Sequence, residues 1–199
     1  MADEWTTWAD RTGAYSPDYY AYRGSNETSE QIRETFAKRL GQDAAIIELG
    51  CSAGRHLAHL GRAGFQNLTG IDINQNSIST ARKAYPDLAR VATFHEERIE
   101  NVISEFDNGA FDAVFTVETL QHLPPESTWV FPELARITDE LLVTVENEGD
   151  VDGDEVTVTH VHGEIPLYHR DWGHVFRAVG MEQVACILSE RDTMRVFSV

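Results

Sequence analysis

Cysteine, lysine and long apolar runs are all scarce in this sequence, and each scarcity excludes something. Only Cys51 and Cys186 are present, with no C-x-x-C spacing. Two such cysteines make neither a disulfide framework nor a zinc knuckle, which fits a reducing cytoplasm. Apolar runs such as 44–47 and 141–145 are far too short to cross a bilayer, so no membrane partner is expected. Residues 1–5, Met-Ala-Asp-Glu-Trp, hold no basic n-region and no apolar h-region, so no cleaved signal peptide is expected. Lysine is limited to Lys38 and Lys83, against fourteen arginines. Internal repeats and low-complexity segments are absent as well.

Acid is what the chain has in excess: 33 Asp and Glu against 16 Lys and Arg, a formal charge of −17. A surface that tracks phosphate backbones is disfavoured by that balance, and no basic, aromatic-interleaved stretch appears, so a nucleic-acid partner is not expected. Two readings account for the acid: a dedicated basic partner, or a protein kept soluble in multimolar salt, where screening removes self-repulsion. The charge is spread along the chain without an acidic tail, which favours the second, a halophilic cytosol. The 199 residues, 42% of them hydrophobic, suffice for one domain with a full core. That domain is read as residues 1–199, with 1–27 an N-terminal segment of no clear period and 28–199 the core.

From residue 28 the sequence is periodic. Thr28 and Gln31 have the spacing of a capping box, and Ile32, Phe36 and Leu40 form one apolar stripe ending near Gly41. Strands are then expected at 44–49, 68–73, 91–94, 111–117 and 141–145. Helices are expected between them at 55–63, 77–85, 99–106 and 133–137. This alternation predicts an α/β fold with a parallel sheet and helices on both faces. The tail breaks the rhythm with a short strand at 155–162, a helix at 171–179 and strands at 181–188 and 193–199. The last two are separated only by 189–192, which is hairpin spacing and so antiparallel.

The first strand runs into Glu48-Leu-Gly50-Cys51-Ser52-Ala-Gly54 and then a helix. A glycine-containing loop there brings backbone close to a ligand, beside a helix N-terminus. It is not the G-x-G-x-x-G dinucleotide fingerprint. The second strand ends in Gly70-Ile-Asp72-Ile73-Asn74, with Asp72 22 residues after Gly50, where an acid accepts hydrogen bonds from both ribose hydroxyls. Judged alone, Asp72 has a second, less favoured reading as a strand-end residue capping the next helix.

These residues resemble the first motif of class I S-adenosylmethionine-dependent methyltransferases, E/D-x-G-x-G-x-G, with Ser52 at the middle glycine. The resemblance extends to small-molecule methyltransferases of type 11/25, here with a haloarchaeal composition. Phe111-Asp-Ala-Val, followed by Thr116, Val117, Glu118 and Gln121-His122-Leu-Pro, is similar to the fourth strand and following loop of that family. The resemblance implies a Rossmann-like, seven-stranded, mostly parallel sheet of order 3-2-1-4-5-7-6 with an antiparallel last strand. It implies S-adenosyl-L-methionine as cofactor and Thr116–Gln121 along its methionine half. On the adenine side it implies the stretch holding Glu97, Arg98 and Ile99. Arg98 stands where the family often has an acid, so Glu97, or backbone with Ile99, is left for the adenine contact. Ahead of the core, Tyr19–Arg23 is either a lid over the cofactor, with Tyr22 near it and Arg23 on the methionine carboxylate, or an aromatic cluster on the sheet edge with Arg23 at the surface.

The implied reaction is in-line methyl transfer to a small-molecule acceptor. A general base is needed only if the acceptor must lose a proton. His122, Glu146, Tyr168 and His169 are the catalytic candidates, and Glu148 is a possible base or ammonium contact. The alternatives are another transferase on the same fold, a non-catalytic cofactor-binding partner subunit, and a methyltransferase of proteins or nucleic acids. Monomer and homodimer both remain open. Cys51 is read as a small residue that fits, Cys186 as core, and the tryptophans as packing. The histidines at 160, 162, 169 and 174 carry only a weak H-x-H signal, and no metal is assigned to them. If the acid excess is an adaptation to salt, the melting temperature climbs steeply from dilute buffer to molar potassium chloride. A flat or falling curve in a thermal melt series returns the argument to a basic partner.

Overall fold

Residues 4–161 and 165–199 are described by the computed structural model, in two units, Met1–Asn101 and Val102–Val199. His162 lies outside the described residues. The first unit opens with three helices, α1 (Glu4–Ala9), α2 (Pro17–Arg23) and α3 (Glu27–Ala37). Its core alternates β1 (Ala45–Leu49), α4 (Arg55–Arg62), β2 (Asn67–Asp72), α5 (Ser77–Ala84), α6 (Leu88–Val91) and β3 (Thr93–Glu96), and α7 (Ile99–Val102) runs to the boundary. Ile46, Ile47, Leu49, Leu57, Leu60 and Leu68 are almost fully buried, so β1 reads as a continuous apolar run, as a strand covered on both faces must. The three strands pair in parallel in the order β3-β2-β1. Leu49 is level with Ile71, so the loop that starts at Gly50 lies beside Asp72.

The expected capping box at Thr28 and Gln31 is corrected. The helix starts earlier, with Asn26 as N-cap: Ser29 N–H donates to Asn26 Oδ1 and Asn26 N–H to Ser29 Oγ, both at 3.1 Å. Asn is at least as good a cap as Thr, and the Ser29 hydroxyl that shares in this cap also meets His56 Nδ1 at 2.8 Å. Ile32 and Phe36 are fully buried as the stripe requires, but the helix stops at Ala37, well before Gly41.

The second unit holds β4 (Phe111–Val117), α8 (Val130–Ile137), β5 (Thr138–Glu146), β6 (Thr157–Val161), β7 (Ile165–His169), α9 (Trp172–Ala178), β8 (Glu182–Leu188) and β9 (Thr193–Ser198). β4 and β5 are parallel, β9 is antiparallel to β5 and to β8, and the order is β4-β5-β9-β8. With β6 and β7 set aside, the orders in the two units are 3-2-1 and 4-5-7-6, the two parts of the expected order. β6 and β7 form an antiparallel pair of their own. β7 was not legible in the sequence, because Pro166 interrupts its alternation and donates nothing to a ladder. Trp172 packs edge-on against Phe131 and stacks near Phe176, both within 6.2 Å between centroids, and is the largest fully buried side chain.

Cys186 corrects its reading as core. It is exposed, because β8 is the edge strand and nearly all its side chains face solvent. Trp129 is likewise 45% exposed rather than packed. Among the described residues no helix is long and apolar enough to cross a membrane.

Candidate functional site

In the first unit the site is built where β1 turns into α4. The chain reverses through three left-handed residues, Gly50 (φ 72°), Ser52 (φ 52°) and Gly54 (φ 77°). Gly50 and Cys51 both donate their N–H to Ile71 O, at 2.8 and 2.9 Å, which ties the loop to the end of β2. Gly54 has a second reason to be glycine: a Cβ there would sit 2.9 Å from Leu88 Cδ2. Cys51 is buried with its thiol against Gly70, where a Cβ would come within 2.6 Å of the sulfur. Its role is to fit.

Asp72 closes this cradle. Ser52 N–H donates to Asp72 Oδ2 at 2.7 Å and Asn74 N–H to Oδ1 at 2.8 Å. Each oxygen has spent one lone pair on protein and keeps another. Protein packed around the carboxyl pushes it up to about 6, against the pull of those two amides, with Glu96 adding repulsion. Glu48, fully enclosed on β1, is raised well above the carboxylate range by burial, and its Oε2 has no hydrogen-bond partner. Ser52 Oγ is buried without a partner too. Holding a serine at positive φ costs about 1–2 kcal/mol. A buried polar atom left unpaired costs about 1–3 kcal/mol more. Three polar groups with spare capacity therefore converge on one strained loop.

The flanks of the cradle are fixed by the N-terminal helices. Asn74, buried, donates through Nδ2 to Trp8 O and Arg11 O at 2.8 and 3.0 Å. α2 lies along α5, where Thr80 Oγ1 donates to Asp18 at 3.0 Å and Tyr85 Oη to Ala21 O at 3.2 Å. Arg55, the first residue of α4, stacks 4.7 Å over the Tyr20 ring and donates to His56 Nε2 at 3.1 Å. His56 is thereby the Nδ1–H tautomer, and burial holds its pKa well below the usual range. Arg23 reaches Tyr19 Oη at 2.7 Å and Tyr22 is 93% exposed. On the β3 side, Glu97 is exposed and accepts from Arg98 N–H and Asn101 Nδ2 at the start of α7. Arg98 lies 5.1 Å over the Trp5 ring, Ile99 is buried, and Ile73 is half-buried.

In the second unit the functional candidates gather at the ends of β4 and β5. Val117 is level with Val145, and Glu118 follows it at φ 51°, donating its N–H to Val145 O at 2.8 Å. The one-turn helix Leu120–His122 comes next. Glu146, with none of its surface exposed, accepts from Thr116 Oγ1 at 2.8 Å and from the amides of Thr119, Leu120 and Gln121 at 3.0–3.2 Å. Burial outweighs these bonds and pushes Glu146 up to about 7. Gln121 is fully buried, its Oε1 accepting from Asn147 N–H at 2.8 Å while its Nε2 has no partner. His122 donates Nδ1–H to Pro166 O at 3.2 Å, so Nε2 carries the lone pair, and burial lowers its pKa to about 4. His169 has Nδ1 on Asn147 O and Nε2 on Thr159 Oγ1, at 3.3 and 2.7 Å. Tyr168 is buried on β7 beside it.

Two groups here escaped the sequence reading. Arg191 pairs with Glu118 at 3.1 Å, and burial beside Glu118 pushes Asp192 up to about 6. The turn that carries them is level with the end of β5, because Thr193 pairs with Glu146. The second is Arg170, 2% exposed and ringed by aromatics. Its signal in the sequence was the placing of Tyr168 and Trp172 two residues to either side. Glu148, offered as a base, is instead held bidentately by Arg195 at 2.6 and 2.9 Å. Of the histidines read as a cluster, His160 is exposed and His174 pairs with Asp154 at 2.9 Å.

Residues 46–140 match the family model described as a methyltransferase domain. An O-methyltransferase of Penicillium expansum, cnsE, is 24% identical over 126 residues, covering 60% of this chain and 46% of that protein. The bifunctional methyltransferase/kinase WbdD of Escherichia coli, an O-antigen chain terminator, is 30% identical over 109 residues, 52% of this chain and 15% of its own. The chain thus spans less than half the length of these two relatives. Among solved structures, magnesium protoporphyrin IX methyltransferase (ChlM) of Synechocystis PCC 6803 with bound SAM superposes with a TM-score of 0.67 at 14% identity, over 98% of this chain and 89% of that one. The fold is therefore the Rossmann-like fold of class I methyltransferases, and residues 46–140 are similar to a methyltransferase domain.

Proposed function

We propose that the chain transfers the methyl group of S-adenosylmethionine to the oxygen of a small-molecule acceptor. The observation that carries the cofactor assignment is Asp72. It stands level with the glycine loop, and each of its oxygens holds one amide and keeps one acceptor position, which suits the two neighbouring hydroxyls of a ribose. The unpartnered Glu48 Oε2 and Ser52 Oγ add groups that suit the polar remainder of the cofactor. The bound sulfonium supplies an electrophilic methyl, so the protein's own work is to align the acceptor and exclude water.

In the second unit, Val117, Glu118 and Gln121 are assigned to the methionine half on the family resemblance. His122 is the proton acceptor in this reading: its Nε2 carries the lone pair, and its low pKa keeps the ring neutral at physiological pH. Glu146 and His169, whose polar atoms are spent on the surrounding chain, serve position rather than proton transfer. Oxygen as the acceptor atom is supported by the O-methyltransferase relative. A halophilic cytoplasmic setting is supported by the composition. Incubation with methyl-labelled S-adenosylmethionine and a fractionated metabolite extract is expected to label low-mass material. Binding of the cofactor without labelling of any fraction supports a non-catalytic partner subunit instead.

Two measurements test the Asp72 assignment. Asp72→Ala removes two charge-assisted hydrogen bonds, each about 1.5–3 kcal/mol, so calorimetric affinity for S-adenosylhomocysteine falls at least about tenfold. Unchanged affinity removes the ribose contact. The second is pH. Hydroxyl donation favours the ionised carboxyl, so its pKa in the complex lies below the value of about 6 in the free protein. Affinity is therefore level above that pH and weakens as pH falls through it, and Asp72→Asn loses that dependence. A wild-type profile flat down to pH 5 contradicts the assignment.

A further inference from the structure

Arg170 is a buried cation without an anion. It is 2% exposed, and no carboxylate lies within ion-pairing distance among the described residues. The rings of Phe131, Tyr168 and Trp172 surround its guanidinium at 5.4, 5.4 and 5.6 Å. Nη2 donates to Leu123 O at 2.8 Å and Nη1 more weakly to Tyr168 O at 3.4 Å, while Nε has no partner. Burial pulls its pKa down to about 10, with the negative charge of Glu146 among the opposing influences. A methionine or leucine would fill such an aromatic slot without the desolvation cost of a cation. What the guanidinium adds is a reach to Leu123 and a field.

Leu123 is the residue at which the one-turn helix Leu120–His122 ends. At the other end of that turn the amides of Thr119, Leu120 and Gln121 point at Glu146. An anion at the amino end and a cation at the carbonyl end complement the dipole of the turn, each on the side it favours. Between the two, His122 Nδ1–H is fixed on Pro166 O, from the strand that leads to Arg170.

We propose that Arg170 and Glu146 form a charge-matched clamp on the turn Leu120–His122, with Arg170 a positioning residue that keeps Gln121 and His122 in register. The part these two play in methyl transfer rests on the proposed function; the clamp does not. The aromatic cage holds the guanidinium in one orientation, because a planar cation keeps its contacts with three rings only in a narrow range of poses. The turn itself is too short to be stable alone, so its geometry is set from outside.

The test is amide hydrogen exchange and imidazole nitrogen shifts of His122 in the full chain, for wild type, Arg170→Met and Arg170→Lys. In Arg170→Met the amides of residues 119–123 exchange about tenfold faster, the size expected from one lost charge-assisted hydrogen bond, while β4 and β5 keep their protection. The His122 ring moves from the Nδ1–H tautomer toward a mixture. Arg170→Lys, with the charge kept and one donor able to reach Leu123 O, restores most of both signals. Should the methionine variant fail to fold, the lysine variant still shows the local change, at smaller size. Wild-type exchange and tautomer in Arg170→Met, or exchange raised equally through β4 and β5, overturns the clamp. Neither readout measures turnover, so failure of the methyl-transfer reading leaves this result standing.

Discussion

A carboxylate at the end of a strand, catching the backbone amides of a neighbouring loop, is the interaction on which each unit depends. In the first unit it is Asp72, which holds Ser52 and Asn74. In the second it is Glu146, which holds Thr119, Leu120 and Gln121 together with the Thr116 hydroxyl. Loops at the carboxyl ends of parallel strands have few ladder bonds of their own, and a buried acid supplies several acceptors at one point. In both cases burial outweighs the amide bonds, leaving Asp72 at about 6 and Glu146 at about 7. A folded chain keeps such groups short of full compensation where a further donor is expected, or where the loop must be held in one shape.

Strain is stored at the same two points. Among the described residues the non-glycine positive φ angles are those of Tyr15, Ser52 and Glu118, and the last two follow β1 and β4. Open α/β sheets bind ligands in the loops beyond the carboxyl ends of their strands. Ser52 and Glu118, with the buried unpartnered atoms Glu48 Oε2, Ser52 Oγ and Gln121 Nε2, belong to those loops or the strands that feed them. The rest of the second unit is tied down more conventionally. Arg195 on β9 binds Glu148 with both arms and Gln183 with its remaining nitrogen, joining the segment after β5 to β8 and β9. Arg170 stands apart because its neighbours are rings and carbonyls.

Much of this was legible in the sequence, for identifiable reasons. Strands β1, β4 and β5 show as short apolar runs because they are largely buried, and the glycine loop and Asp72 show through their spacing. The terminal hairpin shows through a connection too short for anything else. What stayed hidden depends on contacts distant in sequence. Asn26 displaced Thr28 as a cap, a choice linked to the Ser29 hydroxyl that His56 uses. β7 was masked by Pro166, and Cys186 was misplaced because an apolar edge strand and an apolar central strand look alike in sequence. The candidate site was half legible. Residue types near strand ends could be named, but whether Glu146 or Glu148 faced a substrate or another part of the chain depended on partners 25 to 47 residues away.

In the proposed function, the glycine loop at Ser52 and the carboxylate of Asp72 at the end of β2 together hold a nucleoside. The most direct measurement is a crystal structure of the chain with S-adenosylhomocysteine. Both ribose hydroxyls are expected within hydrogen-bond distance of the Asp72 carboxylate, with the Ser52 and Asn74 amide bonds still in place. A nucleoside bound elsewhere, or an Asp72 that still meets only its two amides, contradicts that assignment.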